Sequence, residues 1–135
     1  KKIERYAFRG CSSLRSISIP HVNYIDYEAF DSCLNVSKVF WNSNVTPVRL
    51  TQYCKENLKE VYIGTDVTTI DSRAFKGCSK LKTINIPFSL KTIEYEAFDG
   101  CISIDTIFWD SNISPSPVTH SCKDALKKVV FGNIP

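Results

Sequence analysis

The stretch RAFKGCSKLKTINIP, residues 73–87, decides the fold because it occurs a second time, slightly altered, as YAFRGCSSLRSISIP at residues 6–20. The two copies lie 67 residues apart. Shorter relatives, EAFDSC at 28–33 and EAFDGC at 96–101, repeat its first half. A chain that repeats one pattern at a regular period is typical of a repeat protein, in which each unit packs on the next.

The repeat divides the chain into six units, so we expect one solenoid domain over residues 1–135. The predicted units lie near 3–24, 25–47, 48–69, 70–92, 93–115 and 116–135. Residues 25–58 align without a gap with residues 93–126, at an offset of 68, which indicates duplication of a three-unit block. The chain contains no methionine and begins in mid-pattern, so we expect it to be a piece of a longer protein.

Each unit contains one short predicted strand, written Leu-x-x-Ile-x-Ile or a close variant. Alternation at its end places two apolar side chains on one face and the residue between them on the other. Glycine or proline ends several of these strands, at Pro20, Gly64, Pro87 and Gly132. The residues predicted to point outward are Ser18, Phe40, Tyr62, Asn85, Phe108 and Val130.

The segment before the strand has a helical pattern. In the first unit Ile3, Ala7, Cys11 and Leu14 are separated by 4, 4 and 3 residues, which predicts a short helical turn. Predicted caps at the start of these turns are Asp26, Thr51, Asp71 and Thr119. Predicted left-handed residues at their ends are Gly10, Gly77 and Gly100.

Units of this size cannot bury their apolar faces alone, but stacked copies can. The predicted fold class is therefore an α/β repeat solenoid. Its parallel strands would lie about 4.8 Å apart, so that about six coils form a slab on the order of 30 Å long. Like residues then stack on like residues. The predicted core columns are Phe8, Phe30, Phe75 and Phe98, together with Ala7, Ala29, Ala74 and Ala97.

Six cysteines recur once per unit, at Cys11, Cys33, Cys54, Cys78, Cys101 and Cys122. This spacing predicts a buried structural ladder of free, inert thiols, because cysteine packs well as a small apolar residue. Disulfides are the alternative that an even cysteine count suggests. Side chains that stack side by side and point the same way fit disulfide geometry poorly. The chain has no Cys-x-x-Cys or Cys-x-x-His, so no metal site is predicted.

The sequence contains no pattern typical of an enzyme, so we expect no catalytic residues and no cofactor. His21 and His120 occupy unmatched repeat positions, without a serine or cysteine at triad-like spacing. The five glycines are isolated, which argues against a phosphate-binding loop. A net charge of +3 with scattered basic residues does not favour nucleic acid as a partner. No stretch approaches the roughly 20 apolar residues of a membrane span, so membrane insertion is not expected.

The pattern Ile-x-x-x-Ala-Phe-x-x-Cys-x-x-Leu-x-x-Ile-x-Ile-Pro resembles the BspA-like leucine-rich repeat family. The resemblance covers essentially the whole chain and is weakest in the third and sixth units. It implies a right-handed, curved leucine-rich-repeat horseshoe with its parallel sheet on the concave face. Short helical turns and extended segments would lie on the convex face. Trp41 and Trp109 replace the usual isoleucine, which suggests a bulkier core in their coils.

The resemblance also implies a function, because family members are typically surface or secreted proteins involved in adhesion. The expected role is a non-catalytic protein-binding module with an extracellular or cell-surface location. The alternative is an intracellular scaffold or effector built on the same solenoid. The expected partner is a protein of unknown identity, and the uncapped solenoid ends suggest end-to-end self-association.

Exposed aromatic residues with a charged rim are typical of protein-binding hot spots. The alternation of the strands therefore predicts binding through the concave sheet face. The predicted binding residues are Phe40, Tyr62, Phe108, Val130, Lys38, Glu60, Lys59 and Lys82. The alternative is that a flanking segment covers these rings, or that they occur there only because aromatic residues favour strands.

Overall fold

The computed structural model describes residues 1–132, so the last three residues of the sixth predicted unit (116–135) lie outside the described residues. Its strands are β1 (Lys2–Ile3), β2 (Ser16–Ile19), β3 (Tyr24–Ile25), β4 (Lys38–Trp41), β5 (Glu60–Ile63), β6 (Thr69–Ile70), β7 (Thr83–Ile86), β8 (Thr92–Ile93), β9 (Thr106–Trp109) and β10 (Lys128–Phe131). Its helices are α1 (Val48–Cys54), α2 (Ser116–Thr119) and a 3-10 helix (Tyr95–Phe98).

The six four-residue strands form one sheet, in the spatial order β10-β9-β7-β5-β4-β2. Every neighbouring pair is parallel, and each strand pairs with the strand of the next repeat. The register joins equivalent repeat positions, as in the pairing of Ile17 with Val39. The predicted stacking of one strand per coil in a parallel sheet is confirmed. We call each long strand, with the turn or helix before it, a coil, and number the coils one to six.

Ile3, predicted to lie in a helical turn, and the residues equivalent to it in the repeat lie instead in two small parallel sheets. Ile3 in β1 pairs with Ile25 in β3, and Ile70 in β6 pairs with Ile93 in β8. These β-branched residues therefore extend the backbone in the first two coils of each three-coil block. The helical prediction was wrong at Ile3, because spacing alone does not distinguish a turn from a stacked strand.

Regular helix is present only in some coils of the described chain. α1 and α2 lie in the third and sixth coils and begin directly after Pro47 and Pro115, whose φ angles of −59° and −74° suit helix entry. The fifth coil contains the 3-10 helix, and the first, second and fourth coils have hydrogen-bonded turns. Each three-coil block therefore ends in an α-helical coil, and the two coils before it contain hydrogen-bonded turns or, in the fifth coil, a 3-10 helix.

The predicted caps were only partly right. Asp26 accepts a hydrogen bond from the N–H of Glu28 at 2.9 Å and so closes its turn. Asp71 instead accepts from the Thr46 hydroxyl at 2.6 Å. Thr51 and Thr119 lie inside α1 and α2, where their hydroxyls donate to the carbonyls of Ala74 and Pro115, respectively. The reason is that both helices begin directly after a proline, three residues before the threonine.

The left-handed turn ends were predicted correctly. Gly10, Gly77 and Gly100 have φ angles of 75°, 81° and 80°. Ser32 occupies the equivalent position in the second coil with a φ of 65°. The turn geometry is therefore set by the repeat, and one coil adopts it without glycine.

The phenylalanine column is buried in the interior coils but not in the first. Phe30, Phe75 and Phe98 are fully buried, whereas Phe8 is 44% exposed. Phe8 stacks on Phe30 with ring centroids 5.4 Å apart, so only its outer face is open. Ala7 is likewise exposed. The prediction that all four rungs of each column are buried was wrong for the first coil, because no described coil covers that side.

The cysteine ladder shows the same end effect. All six thiols are free, and five of them are fully buried, but Cys11 in the first coil is only half-buried. Two of the buried thiols bond to the preceding coil: Cys33 donates to the Phe8 carbonyl at 2.9 Å and Cys101 to the Phe75 carbonyl at 3.1 Å. These contacts make the ladder a packing element of the solenoid.

The two tryptophans fill the core as predicted. Trp41 is fully buried and Trp109 is 8% exposed. Each indole N–H also closes the turn after its own strand, donating to the Ser43 carbonyl at 2.9 Å and to the Ser111 carbonyl at 2.8 Å. Tryptophan thus supplies both bulk and a satisfied polar contact at this repeat position.

Candidate binding surface

The outward side of the six long strands, which we call the sheet face, carries the predicted aromatic row. Its inward neighbours Val39, Val61 and Ile107 are at most 1% exposed. Alternation therefore turns Phe40 outward, and its side chain is 40% exposed. The other predicted members of the row, Tyr62, Phe108 and Val130, are half-buried.

Tyr62 is held by two of the charged residues predicted beside it. Its hydroxyl donates to a carboxylate oxygen of Glu60 at 2.9 Å. The Nζ of Lys38 lies 5.8 Å from the centre of its ring, within reach of a cation–π contact. Burial, with a further contribution from the Glu60 hydrogen bond, raises the pKa of Tyr62. The structure thus brings Lys38, Glu60 and Tyr62 together and orders the ring before any partner binds.

Asn85 was predicted to point into solvent, but the structure shows it buried. Its side chain is only 6% exposed. The amide donates to the Ile63 carbonyl at 2.9 Å, and the amide oxygen accepts from the Ile63 N–H. The backbone pairing between β5 and β7 joins only Glu60 with Thr83 and Val61 with Ile84. Past these two pairs, the Asn85 side chain bonds to the backbone of β5. The prediction was wrong because a short amide can bond to an adjacent strand when the backbone pairing stops.

A notch opens above Asn85 on the sheet face, with a volume of about 260 Å³. Phe40 and Phe108 line its sides, three strands apart. Gly64 lies in its floor, and a Cβ there would overlap the Asn42 side chain. Sequence reasoning identified both rings but missed the notch between them. The only sequence feature that could have indicated the notch was Gly64, directly after β5.

The amino-terminal ends of the long strands form a basic border along the sheet face. Its cations are all exposed: Arg15, Lys38, Lys59, Lys82, Lys127 and Lys128. Lys59 and Lys82, both predicted site residues, lie on adjacent coils, where the Lys82 N–H bonds to the Lys59 carbonyl at 2.8 Å. The border contains two carboxylates, Glu60 and Asp105, which accept hydrogen bonds from Tyr62 and Thr106.

Few cations of the described surface form salt bridges, and those of the basic border are among the unpaired ones. Within residues 1–132 none of its cations forms a salt bridge. On the opposite side, which we call the turn side, Arg5 pairs with Glu28 at 3.0 Å. There Lys76 also pairs with Glu96 at 3.1 Å. The sheet face therefore carries positive charge that the described chain does not neutralise.

The described residues contain neither a metal site nor an activated thiol at the buried Cys54 and Cys101. Between residues 1 and 132 there is no group of three or more His, Cys, Asp or Glu side chains arranged to hold a metal ion. Burial raises the pKa of Cys54 and Cys101 to about 12, which keeps these thiols protonated and unreactive at neutral pH. No helix in the described part of the chain is long and apolar enough to cross a membrane.

The fold and the sheet face define a leucine-rich-repeat solenoid. The family description "BspA type Leucine rich repeat region" matches residues 1–105 and 46–131, with six copies. The chain therefore belongs to the BspA-type leucine-rich repeat family, as the sequence pattern predicted. No curated protein matches the chain significantly.

Two solved structures share the fold. One is a leucine-rich repeat protein from Bacteroides ovatus, with 21% sequence identity and a TM-score of 0.56. The other is the leucine-rich repeat protein of T. pallidum, with 18% identity and a TM-score of 0.51. The alignments cover 98% and 96% of this chain, but only 40% and 62% of those proteins. The chain thus corresponds to part of the length of each.

Proposed function

We propose that this chain is a non-catalytic protein-binding module of a surface or secreted protein, and that it serves adhesion or recognition through its sheet face. The proposal treats residues 1–135 as one solenoid piece of six units. The observation that carries it is the exposed ring of Phe40 beside the ordered ring of Tyr62, bordered by cations without carboxylate partners.

Phe40 and Tyr62 have the properties of a binding hot spot. They are paired neighbours on β4 and β5. Aromatic rings bury much area on binding at little cost in side-chain entropy, and so often dominate the affinity of an interface. Tyr62 is already fixed by Glu60, which lowers the ordering cost further. Phe108 occupies the position equivalent to Phe40 in the duplicated block, so a phenylalanine occurs twice in this row, although the neighbour of Phe108 is Val130 and not a tyrosine.

The extracellular assignment rests on the family resemblance. An intracellular scaffold or effector remains the alternative, since the same face serves either role. Locating the full-length protein by surface-selective biotinylation of intact cells distinguishes the two. Labelling of the protein before lysis supports the surface assignment, and labelling only after lysis supports the intracellular one.

End-to-end association between copies stays a prediction. The inward residues of the sixth strand that another coil would cover, Val129 and Phe131, are 42% and 81% exposed. Sedimentation velocity across a range of protein concentrations tests it. An average mass that rises with concentration in the wild type but not in Phe131→Ser supports association through this end, and a constant monomer mass contradicts it.

The test of the binding proposal is a biosensor titration of the immobilised protein against a panel of purified host-surface and matrix proteins. The double variant Phe40→Ala/Tyr62→Ala should weaken any saturable interaction by about 2 kcal/mol or more. The turn-side variants Arg9→Ala and Lys76→Ala should bind like the wild type. Circular dichroism verifies the fold of each variant. Unchanged binding by a folded double variant, together with loss in a turn-side variant, would place the interface elsewhere.

A further inference from the structure

We propose that the partner contacts the sheet face with an extended acidic segment that places one apolar side chain in the notch between Phe40 and Phe108. This inference rests on the proposed protein-binding function and specifies the chemistry of its partner. It combines two independent features of the same face, the shape of the notch and the unneutralised charge of the basic border.

The notch suits one apolar side chain. Two aromatic rings line its sides, and Asp110, which follows the carboxyl end of β9, lines the end away from the basic border. Its floor presents the Asn85 amide, but that amide already exchanges two hydrogen bonds with Ile63 and so does not require a polar ligand. The volume of about 260 Å³ lies below the roughly 300–1,000 Å³ of pockets that enclose whole small molecules. A single leucine or phenylalanine side chain fits this description better than a free ligand does.

The basic border selects the charge of the segment. It presents six exposed cations, Arg15, Lys38, Lys59, Lys82, Lys127 and Lys128, and two carboxylates, Glu60 and Asp105. The difference is a local charge of +4, since six minus two is four. Complementary charge steers association and rejects partners of like charge, so an acidic segment is favoured over a basic one.

The distance between the two features sets the spacing within the segment. Lys82 and Asn85 are three residues apart on one coil, which corresponds to about 10 Å along an extended strand. An extended partner therefore carries its acidic residues about three or four positions from the apolar one. This spacing argues for a peptide segment, in which both groups belong to one chain.

The experiment is an NMR titration of the ¹⁵N-labelled protein with an acetylated and amidated peptide. The peptide has one leucine, a Gly-Ser spacer and four acidic residues. We expect saturable shifts of the amides around Phe40, Asn85 and Phe108, and of those along the basic border. Replacing the peptide leucine by serine, or its acidic residues by lysine, should weaken binding about tenfold or more. Higher ionic strength should weaken it as well.

Matched variants separate the two features. Lys59→Glu/Lys82→Glu should lose most peptide binding, whereas Lys91→Glu/Lys123→Glu, which makes the same charge change off the sheet face, should keep it. Phe40→Ala should weaken binding of the leucine peptide more than that of the serine peptide. Leu34→Ala, which also removes an exposed apolar side chain but away from the notch, should have no effect. Circular dichroism verifies that each variant is folded.

The outcomes are distinguishable from those of the function test. Binding that ignores the leucine, or that a heparin-derived oligosaccharide reproduces with the same shifts, would overturn the inference in favour of non-specific anion binding. Absence of peptide shifts would also overturn it, even where a protein from the panel binds through Phe40 and Tyr62. In that case the proposed function stands and the partner has a different chemistry. Failure of both experiments would reject the function itself.

Discussion

Asn85 and Ile63 join the third and fourth coils through a side chain. The Asn85 amide donates to the Ile63 carbonyl at 2.9 Å, and its oxygen accepts from the Ile63 N–H. The backbone pairs of β5 and β7 stop at Val61 and Ile84, whereas each of the other neighbouring long strands pairs over four residues. This junction lies between the two three-coil blocks, so one asparagine supports the stacking of one block on the other.

Asn85→Ala should destabilise the protein by at least about 2 kcal/mol. The substitution leaves the N–H and the carbonyl of Ile63 without partners, and Ile63 is only 3% exposed. Urea denaturation followed by circular dichroism measures the change. Asn112→Ala, at an exposed asparagine, is the control and should change stability by less than about 0.5 kcal/mol. Equal midpoints for the two variants would show that Asn85 does not support the junction.

Phe75→Ala should cost about 3–5 kcal/mol, because it opens a cavity in the fully buried column. Phe8→Ala, at the same repeat position, should cost less, because 44% of that residue is already exposed. Lys76→Ala removes only an exposed ion pair with Glu96 and should cost less than about 1 kcal/mol. Chemical denaturation of the three variants should give this order. Similar values for Phe75 and Lys76 would contradict the inside–outside assignment.

The thiols should differ sharply in their reaction with iodoacetamide. Cys11 is half-buried and should react first, while the five fully buried cysteines should react only after denaturation. Burial also raises the pKa of Cys54 to about 12, so its reactive thiolate is scarce near neutral pH. Mass spectrometry of peptides from the native and the denatured protein gives the order of labelling. A non-reduced protein whose mass corresponds to three disulfides would refute the free-thiol ladder.

His120 should make the attachment of the sixth coil pH-dependent. Its Nε2 lies 2.6 Å from an Asp99 carboxylate oxygen and its Nδ1 lies 3.0 Å from the Ser116 carbonyl. Only the protonated ring donates to both, and the Asp99 hydrogen bond is the main cause that raises the pKa of His120. Because the pKa of His120 is raised in the folded state, the protonated ring stabilises the fold fully below the ordinary histidine pKa of 6.5. This stabilisation disappears as the pH rises through the pKa of the folded state.

The measurement is the difference in melting temperature between the wild type and His120→Gln from about pH 5.5 to about pH 8.5. The difference should be largest in acid and shrink as the pH rises. Asp99→Asn should flatten this dependence, since it removes the charge that His120 faces. A difference that grows toward alkaline pH would contradict the assignment.

The repeat alone predicted much of this molecule. Its length and its Leu-x-x-Ile-x-Ile pattern placed Val39 inside and Phe40 outside, because a strand alternates every residue and a fixed period stacks equivalent positions. The parallel register, the left-handed Gly77 and the buried cysteines of the interior coils depend on the same two periods. They could therefore be read from the chain.

The tertiary structure decided what differs between equivalent positions. Phe8 and Phe75 share one place in the repeat, yet only Phe75 is covered on both sides. Asn85 lies in the row of Phe40, yet the shortened pairing between β5 and β7 leaves Ile63 backbone groups to which its short amide bonds. The notch exists because Gly64 has no side chain and the Asn85 amide bonds to the neighbouring strand, which leaves space between rings that are three strands apart. A repeat pattern specifies each coil's own side chains, but burial and hydrogen bonding depend on which coil lies beside it.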